Sequence, residues 1–356
     1  MDIFFHGFYV FSILFLIVFA CVVFTNAIEH LGEELNLSEG TVGSVLAAVG
    51  TALPETIVPL VAILGAYIAG GDMHVGSEIG VGAILGAPFL LGTLAFFVSG
   101  LAVVLYTKSG RRNSDMPVNT SIMFRDMHYF ALGYTISILS SFIPNMVLKH
   151  AVAILLIVLY GVYVFRTVRD GCKGEHCDID LDADGLEPLY LAKLIKLPER
   201  FNLALVVFQV LLSLLGIIFL AHFFVEQLKF FSELFKINPL ILSLIITPIA
   251  TELPEKFNSV IWIRAKKDTL AMGNITGAMV FQSCIPTAVG ISLTPWILGR
   301  TELFNVITVY LSVGVVYLNI LRNKGVLKPS ALLTGGIFYL LYIFYVVLLT
   351  AGFIKA

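Results

Sequence analysis

Ten stretches of this chain are almost free of charge and approach the length of a bilayer crossing. They run roughly 7–26, 41–69, 77–106, 124–142, 147–166, 201–225, 238–263, 270–296, 303–321 and 331–353. A membrane helix needs about 20 apolar residues, since hydrocarbon offers the backbone no hydrogen-bond partners. That pattern predicts an all-α integral membrane protein of about ten spans. Composition agrees: hydrophobic residues make up 58%, charged residues 13%, and the mean hydropathy is +0.94. A soluble domain carries about 25% charged residues, so 356 residues do not read here as two soluble domains. A net charge of −2, with no basic block, gives nucleic acid nothing to bind. Four cysteines are too few for a disulfide framework. The first 107 residues contain no Lys or Arg. A cleavable signal peptide has a positive n-region, so the first run is expected to stay as a membrane helix.

The long polar segment 167–200 divides the chain into five runs and five runs, giving an N-terminal half 1–166 and a C-terminal half 201–356. If the connections alternate sides, 16 of the 22 Lys and Arg residues fall on one side and 5 on the other, with Lys256 inside the seventh run. The positive-inside rule then places 167–200 in the cytoplasm and both termini outside. The setting is a plasma (inner) membrane.

Two short motifs recur in corresponding runs. The second run holds Gly50-Thr51-Ala52-Leu53-Pro54-Glu55 and the seventh holds Ala250-Thr251-Glu252-Leu253-Pro254-Glu255; both read Thr-x-Leu-Pro-Glu, 200 positions apart. The third and eighth share Gly-x-Ile-x-Gly-Ala, beginning at Gly82 and Gly273. An odd number of spans per half sends the second half in from the opposite side. The result is an inverted-topology repeat, with a site expected near the midplane.

The repeated residues are those of a hard-cation site. Thr51 and Glu55 lie four residues apart on one helix face, as do Thr251 and Glu255. Proline has no N–H, so Pro54 and Pro254 release the carbonyls of Gly50 and Ala250. Each motif thus offers a carboxylate, a hydroxyl and a carbonyl, the oxygen ligands that suit calcium or sodium. Thr and Pro alone in a membrane helix are usually packing or kink residues, and Gly-x-Ile-x-Gly alone is usually a helix contact. A Glu inside a span costs several kcal/mol and reads as functional by default.

On these residues the chain resembles the cation/calcium exchanger superfamily, and looks like a prokaryotic sodium/calcium exchanger-type antiporter with two alpha repeats. The specific residues lie in 41–91 and 243–283. The resemblance implies alternating access, with Glu55 and Glu255 as paired calcium ligands flanked by Thr51 and Thr251, and with calcium and a counter-ion competing for them. It implies no covalent chemistry and no cofactor; inorganic cations and the bilayer are the partners, and no obligate protein partner is evident. The family pattern Gly-Thr-Ser-x-Pro-Glu here has Ala52 and Glu252 at its Ser position. Its Gly-Asn-x-x-Gly-Ser-Asn-x-x-Asn pattern becomes Gly82-Ala83, Gly86-Ala87-Pro88 and Leu91 in the third run. The eighth run keeps Gly273-Asn274 and Gly277, with Ala278, Met279 and, at the last ligand position, Gln282.

Sodium-type side-chain ligands are therefore depleted, while Glu55, Glu252 and Glu255 crowd one apolar region. Such a cluster can exchange a divalent ion for protons without a dedicated sodium site, so protons are favoured slightly over sodium as the counter-ion. Lys256 shares a helix face with Glu252, and an ion pair beside the site is its simplest reading. Cys172-Lys173-Gly174-Glu175-His176-Cys177 fits no standard zinc spacing. Asp180-Leu181-Asp182-Ala183-Asp184-Gly185 begins like a calcium loop but has Leu191 where a bidentate Glu is needed. Cys21 and Cys284 are read as packing residues, and Glu29, Glu33, Glu34 and Glu39 as a solvated charged turn. A cation channel would also use midplane carboxylates, and a membrane divalent-ion sensor would use 172–187. The interrupted repeat favours a transporter over both.

Overall fold

A computed structural model describes residues 2–34, 53–68, 72–171, 188–194 and 202–354. The helices are α1 (Asp2–Glu34), α2 (Leu53–Ile68), α3 (Met73–Leu90), α4 (Phe96–Lys108), α5 (Thr120–Ser140), α6 (Met146–Gly171), the short α7 (Tyr190–Leu194), α8 (Asn202–Phe235), α9 (Pro239–Thr251), α10 (Leu253–Arg264), α11 (Asp268–Leu293), α12 (Arg300–Arg322) and α13 (Pro329–Thr350). A five-residue π-helical stretch, Leu91–Ala95, joins α3 to α4. Among the described residues, seven helical stretches are long and apolar enough to cross a membrane, including the continuous 36-residue run Met73–Lys108.

Within the described residues the apolar runs appear as helices, with instructive differences. Strong helix formers carry α1 through Glu34 and α8 through Phe235, well beyond the apolar runs themselves. Glu29, Glu33 and Glu34 therefore belong to the last turns of α1, not to a turn. The eighth run carries Pro286 and is nonetheless one continuous helix. Pro286 cannot donate to the carbonyl of Gln282, but the Thr287 hydroxyl does, at 2.8 Å, and closes the gap. In the third run the helix stays continuous but its α-helical ladder gives way to the π-helical stretch three residues after Pro88.

Two packing units stand out. Ile13, Ile17 and Phe24 of α1 pack with Ile217 and Phe224 of α8 and with Ile57 of α2. Phe4, Phe8, Phe11, Phe15 and Phe19 project from the other side of α1, 60–77% exposed, toward where lipid would lie. The larger core joins α3 through α6 with α9 and α11 to α13. Cys21 and Cys284 are both buried in apolar surroundings, as expected.

Polar contacts gather the connections into two ends. At one end, Arg112 reaches Asp268 and the carbonyl of Ile263, and Asn119 N–H donates to Thr269 at 3.0 Å. At the same end, a two-residue antiparallel pair couples Met116–Pro117 to Val326–Leu327. At the far end of α5 and α11, Lys149 donates to the carbonyls of Pro295 and Trp296. The short strands and Arg112 had no signature in the sequence, because their partners lie more than 150 residues away.

Candidate cation-binding site

The seventh run breaks at its motif. α9 starts at the cap of Asn238, whose side chain accepts from the N–H groups of Leu240 and Ile241, and it ends at Thr251. Glu252 stands between α9 and α10, its own N–H donating to Pro248 at 2.8 Å. Pro254, in the first turn of α10, cannot donate to Ala250, so the ladder lapses where the sequence places the motif.

The side chains at this break are buried. Thr251 donates to the carbonyl of Thr247 at 3.2 Å. Glu252 is 1% exposed: Gln282 of α11 donates Nε2 to its Oε1 at 2.8 Å, and Lys256 Nζ lies 3.5 Å from its Oε2. The expected Glu252–Lys256 pair is thus present, with both partners out of solvent. Gln282 is likewise 1% exposed, and its Oε1 has no hydrogen-bond partner among the described residues. A buried carbonyl oxygen without a donor is costly unless something cationic or protic meets it.

Glu55 is buried in the first turn of α2, and α2 packs against α3, α9 and α11. The helix carrying Glu55 therefore meets those carrying Thr251 and Gln282. Gly50 and Thr51 lie outside the described residues, as do Cys172–Cys177 and Asp180–Gly185. Of Ala250 and Glu255 the backbone is described, in α9 and in the first turn of α10. Among the described residues, no three acidic, His or Cys side chains gather closely enough to hold a metal by themselves.

The Gly-x-x-x-Gly pattern of the third run makes the close approach that it suggested. A Cβ on Gly82 would meet the carbonyl of Leu240, and one on Gly86 would meet the carbonyl of Leu244 and the ring of Pro248. α3 thus lies backbone-to-backbone on α9. Ser243 donates to Ile79 across this seam at 2.7 Å and shares a hydrogen with Thr247 at 3.1 Å. Ser243, Thr247 and Thr251 form a buried hydroxyl ladder leading from the start of α9 to Glu252. The four-residue spacing was visible in the sequence, but its significance needed the break at Glu252.

Asp126 was also missed. It is 1% exposed in α5, accepting from Tyr163 at 3.1 Å and from Thr276 at 2.9 Å, with Arg125 beside it. It stands next to a pocket of ≈ 200 Å³ whose lining includes Tyr163, Gly273, Asn274 and Gly277. The signal was a carboxylate within an apolar run.

The family model for the sodium/calcium exchanger protein matches residues 5–169 and 205–351. Inner membrane protein YrbG of Escherichia coli (strain K12) is 22% identical over 282 residues, 79% of this chain and 78% of that protein. The fold is similar to that of the crystal structure of the H+/Ca2+ exchanger CAX, with a TM-score of 0.67 at 15% identity, covering 94% of this chain and 84% of the other. It is similar also to native YfkE, with a TM-score of 0.64 at 14% identity over 96% and 91%. A structure of the sodium-calcium exchanger NCX_Mj aligns with a TM-score of 0.55 at 16% identity, over 95% and 97%.

Proposed function

Because the chain belongs to the sodium/calcium exchanger protein family, we propose that it is a secondary antiporter that exchanges calcium for a monovalent cation by alternating access. The observation that carries this reading is the broken helix at Glu252, where a buried Thr251, a buried Glu252 and the unpartnered Gln282 oxygen converge. Glu55 and Glu255 supply the charge for the divalent ion, one from each half. Thr51, Thr251, the Gln282 oxygen and the carbonyls of Gly50 and Ala250 complete its oxygen shell. Glu252 is already held by Lys256 and Gln282 and acts beside that shell.

Ten spans in two inverted halves, 1–166 and 201–356, fit the way the connections gather. The segments 109–119, 264–268 and 322–328 meet at one end, so an even number of crossings separates each pair. The break in α9–α10 lets oxygen groups face a cavity at membrane depth. With 167–200 in the cytoplasm, the end at Arg112 is cytoplasmic and the end at Lys149 is external.

The counter-ion is the proton. In this sequence Ala52, Ala87, Leu91 and Ala278 stand where sodium would need hydroxyls or amides, whereas protons need only the carboxylates. The test is calcium uptake by the purified chain in sodium-free proteoliposomes with only a pH gradient imposed. Uptake is expected. Its absence, with robust uptake under a sodium gradient at fixed pH, would overturn the proton reading and leave the antiporter intact. Absence under both gradients would overturn antiport itself.

A further inference from the structure

The correspondence between the halves extends past the two motifs. Asp126 stands 37 residues before Tyr163, which closes a Tyr-x-x-Tyr sequence begun by Tyr160. Asn305 stands 37 residues before Tyr342, which closes a Tyr-x-x-Tyr sequence begun by Tyr339. The first set joins α5 to α6, and the second lies on α12 and α13, which pack together. The sets sit at opposite ends of the bundle. α5 begins at the end of Arg112, and α12 begins just after Pro295 and Trp296, at the end of Lys149. Asp126 is complete, with Tyr163 and Thr276 donating to it and Arg125 as its fixed cation. In the second set Phe304, one residue before Asn305, stands where the first has Arg125.

That second set is left open. Asn305 and Tyr342 are both 0% exposed, and neither the amide atoms of Asn305 nor the hydroxyl of Tyr342 has a hydrogen-bond partner among the described residues. Glu302 lies one turn before Asn305 on the same face of α12, and its charge acts on Tyr342. Glu302 is 9% exposed, and among the described residues its carboxylate makes no hydrogen bond or ion pair. It lines a pocket of ≈ 530 Å³ together with Asn238, Gly299, Arg300 and Thr301. A carboxylate in the first turn of a helix is by itself only a favourable end charge. A fully buried amide and phenol without partners are costly, and something polar must meet them.

We propose that Glu302, Asn305 and Tyr342 form a binding site for a monovalent alkali cation, reached through that pocket. They offer a carboxylate, an amide carbonyl and a phenol, the oxygen donors that suit a hard cation. One carboxylate balances one positive charge, as Asp126 is balanced by Arg125. A divalent ion would keep an unbalanced charge in a largely dry site. The bound ion thus takes, in the second half, the part that Arg125 plays in the first. The site shares no residue with the break at Glu252, and it stands whether or not the chain exchanges calcium.

The test is ion binding by the purified full chain in calcium-free detergent solution. Thermal unfolding is followed in sodium, potassium or choline chloride at one ionic strength. Sodium or potassium should raise the unfolding temperature above that in choline, by an amount that grows with concentration; the larger shift identifies the ion. Glu302→Gln should unfold like the unaltered chain in choline and lose the shift. Tyr342→Phe removes one oxygen donor and should need about tenfold more cation for the same shift. No shift in either salt, or a full shift in Glu302→Gln, overturns the site. Should a variant fail to fold, crystals of the unaltered chain grown with thallium(I), a monovalent ion with strong anomalous scattering, decide the matter. An anomalous peak between Glu302, Asn305 and Tyr342 supports the proposal. Density there without anomalous signal is water alone and overturns it, as does no density.

Discussion

Glu55 is 4% exposed in the first turn of a membrane helix, and its removal is the sharpest test at the scale of a single residue. Glu55→Gln keeps the shape and the hydrogen-bonding reach but deletes half of the charge offered to a divalent ion. Calcium uptake should fall to background, while expression and thermal unfolding in detergent stay near those of the unaltered chain; normal uptake would remove Glu55 from the site. Glu255→Gln should behave alike. Arg112 makes a contrasting case. Its five N–H groups find acceptors at Asn113, Asp115 and Ile263 and on both oxygens of Asp268. Arg112→Met would strand a buried carboxylate and should cost about 3–5 kcal/mol. Arg112→Lys keeps the charge but not the planar fork, and should cost about 2–3 kcal/mol. Thermal unfolding in detergent checks the order, Met below Lys below the unaltered chain. The burial of Glu55 and Glu252 was legible from sequence because charge in an apolar run announces itself. Arg112 was not, because it sits among ordinary loop residues and only the fold brings Asp268 to it.

At the scale of elements, prolines and glycines told most of the story, and hydroxyls corrected it. Pro254 marked the break between α9 and α10, and Gly82 and Gly86 marked a surface on which another helix could lie flat. Pro286 opens no second break, because Thr287 supplies the donor that Pro286 lacks. Thr287→Val removes that donor and leaves the Gln282 carbonyl unpaired, a cost of about 1–3 kcal/mol. Since Gln282 also reaches Glu252, the same change should weaken calcium exchange out of proportion to its effect on stability. Equal loss of both, measured by uptake and by unfolding in detergent, would show that α11 serves only as a scaffold. Gly86→Val tests the seam instead. The added atoms would push α3 off α9, and the variant should unfold at lower temperature with its transport lost. Pairings of this kind, helix against helix 158 residues apart at Gly82–Leu240 and Gly86–Leu244, are beyond what periodicity can specify.

For the whole molecule, the two ends give a direct check of orientation. With Cys172 and Cys177 replaced by Ser, Asn113→Cys should react with a membrane-impermeant maleimide only from the cytoplasmic side. Ile297→Cys, 73% exposed at the other end, should react only from outside. Labelling of both from one side would mean a miscounted span and would undo the inverted arrangement. That the chain is built of apolar helices long enough to cross a membrane could be read from the sequence, because apolar length is a one-dimensional property; the lengths of the helices could not. α1 and α8, at 33 and 34 residues, are each about 50 Å long, against a hydrocarbon layer of about 30 Å. They lie side by side, with a row of phenylalanines turned outward from α1. A rod longer than the slab it crosses must lean or protrude, and its lean changes with the thickness of the slab. Both helices pack on α2, the helix that bears Glu55. Exchange by this protein should vary with the acyl-chain length of the vesicles around it, even where every ion gradient is held constant.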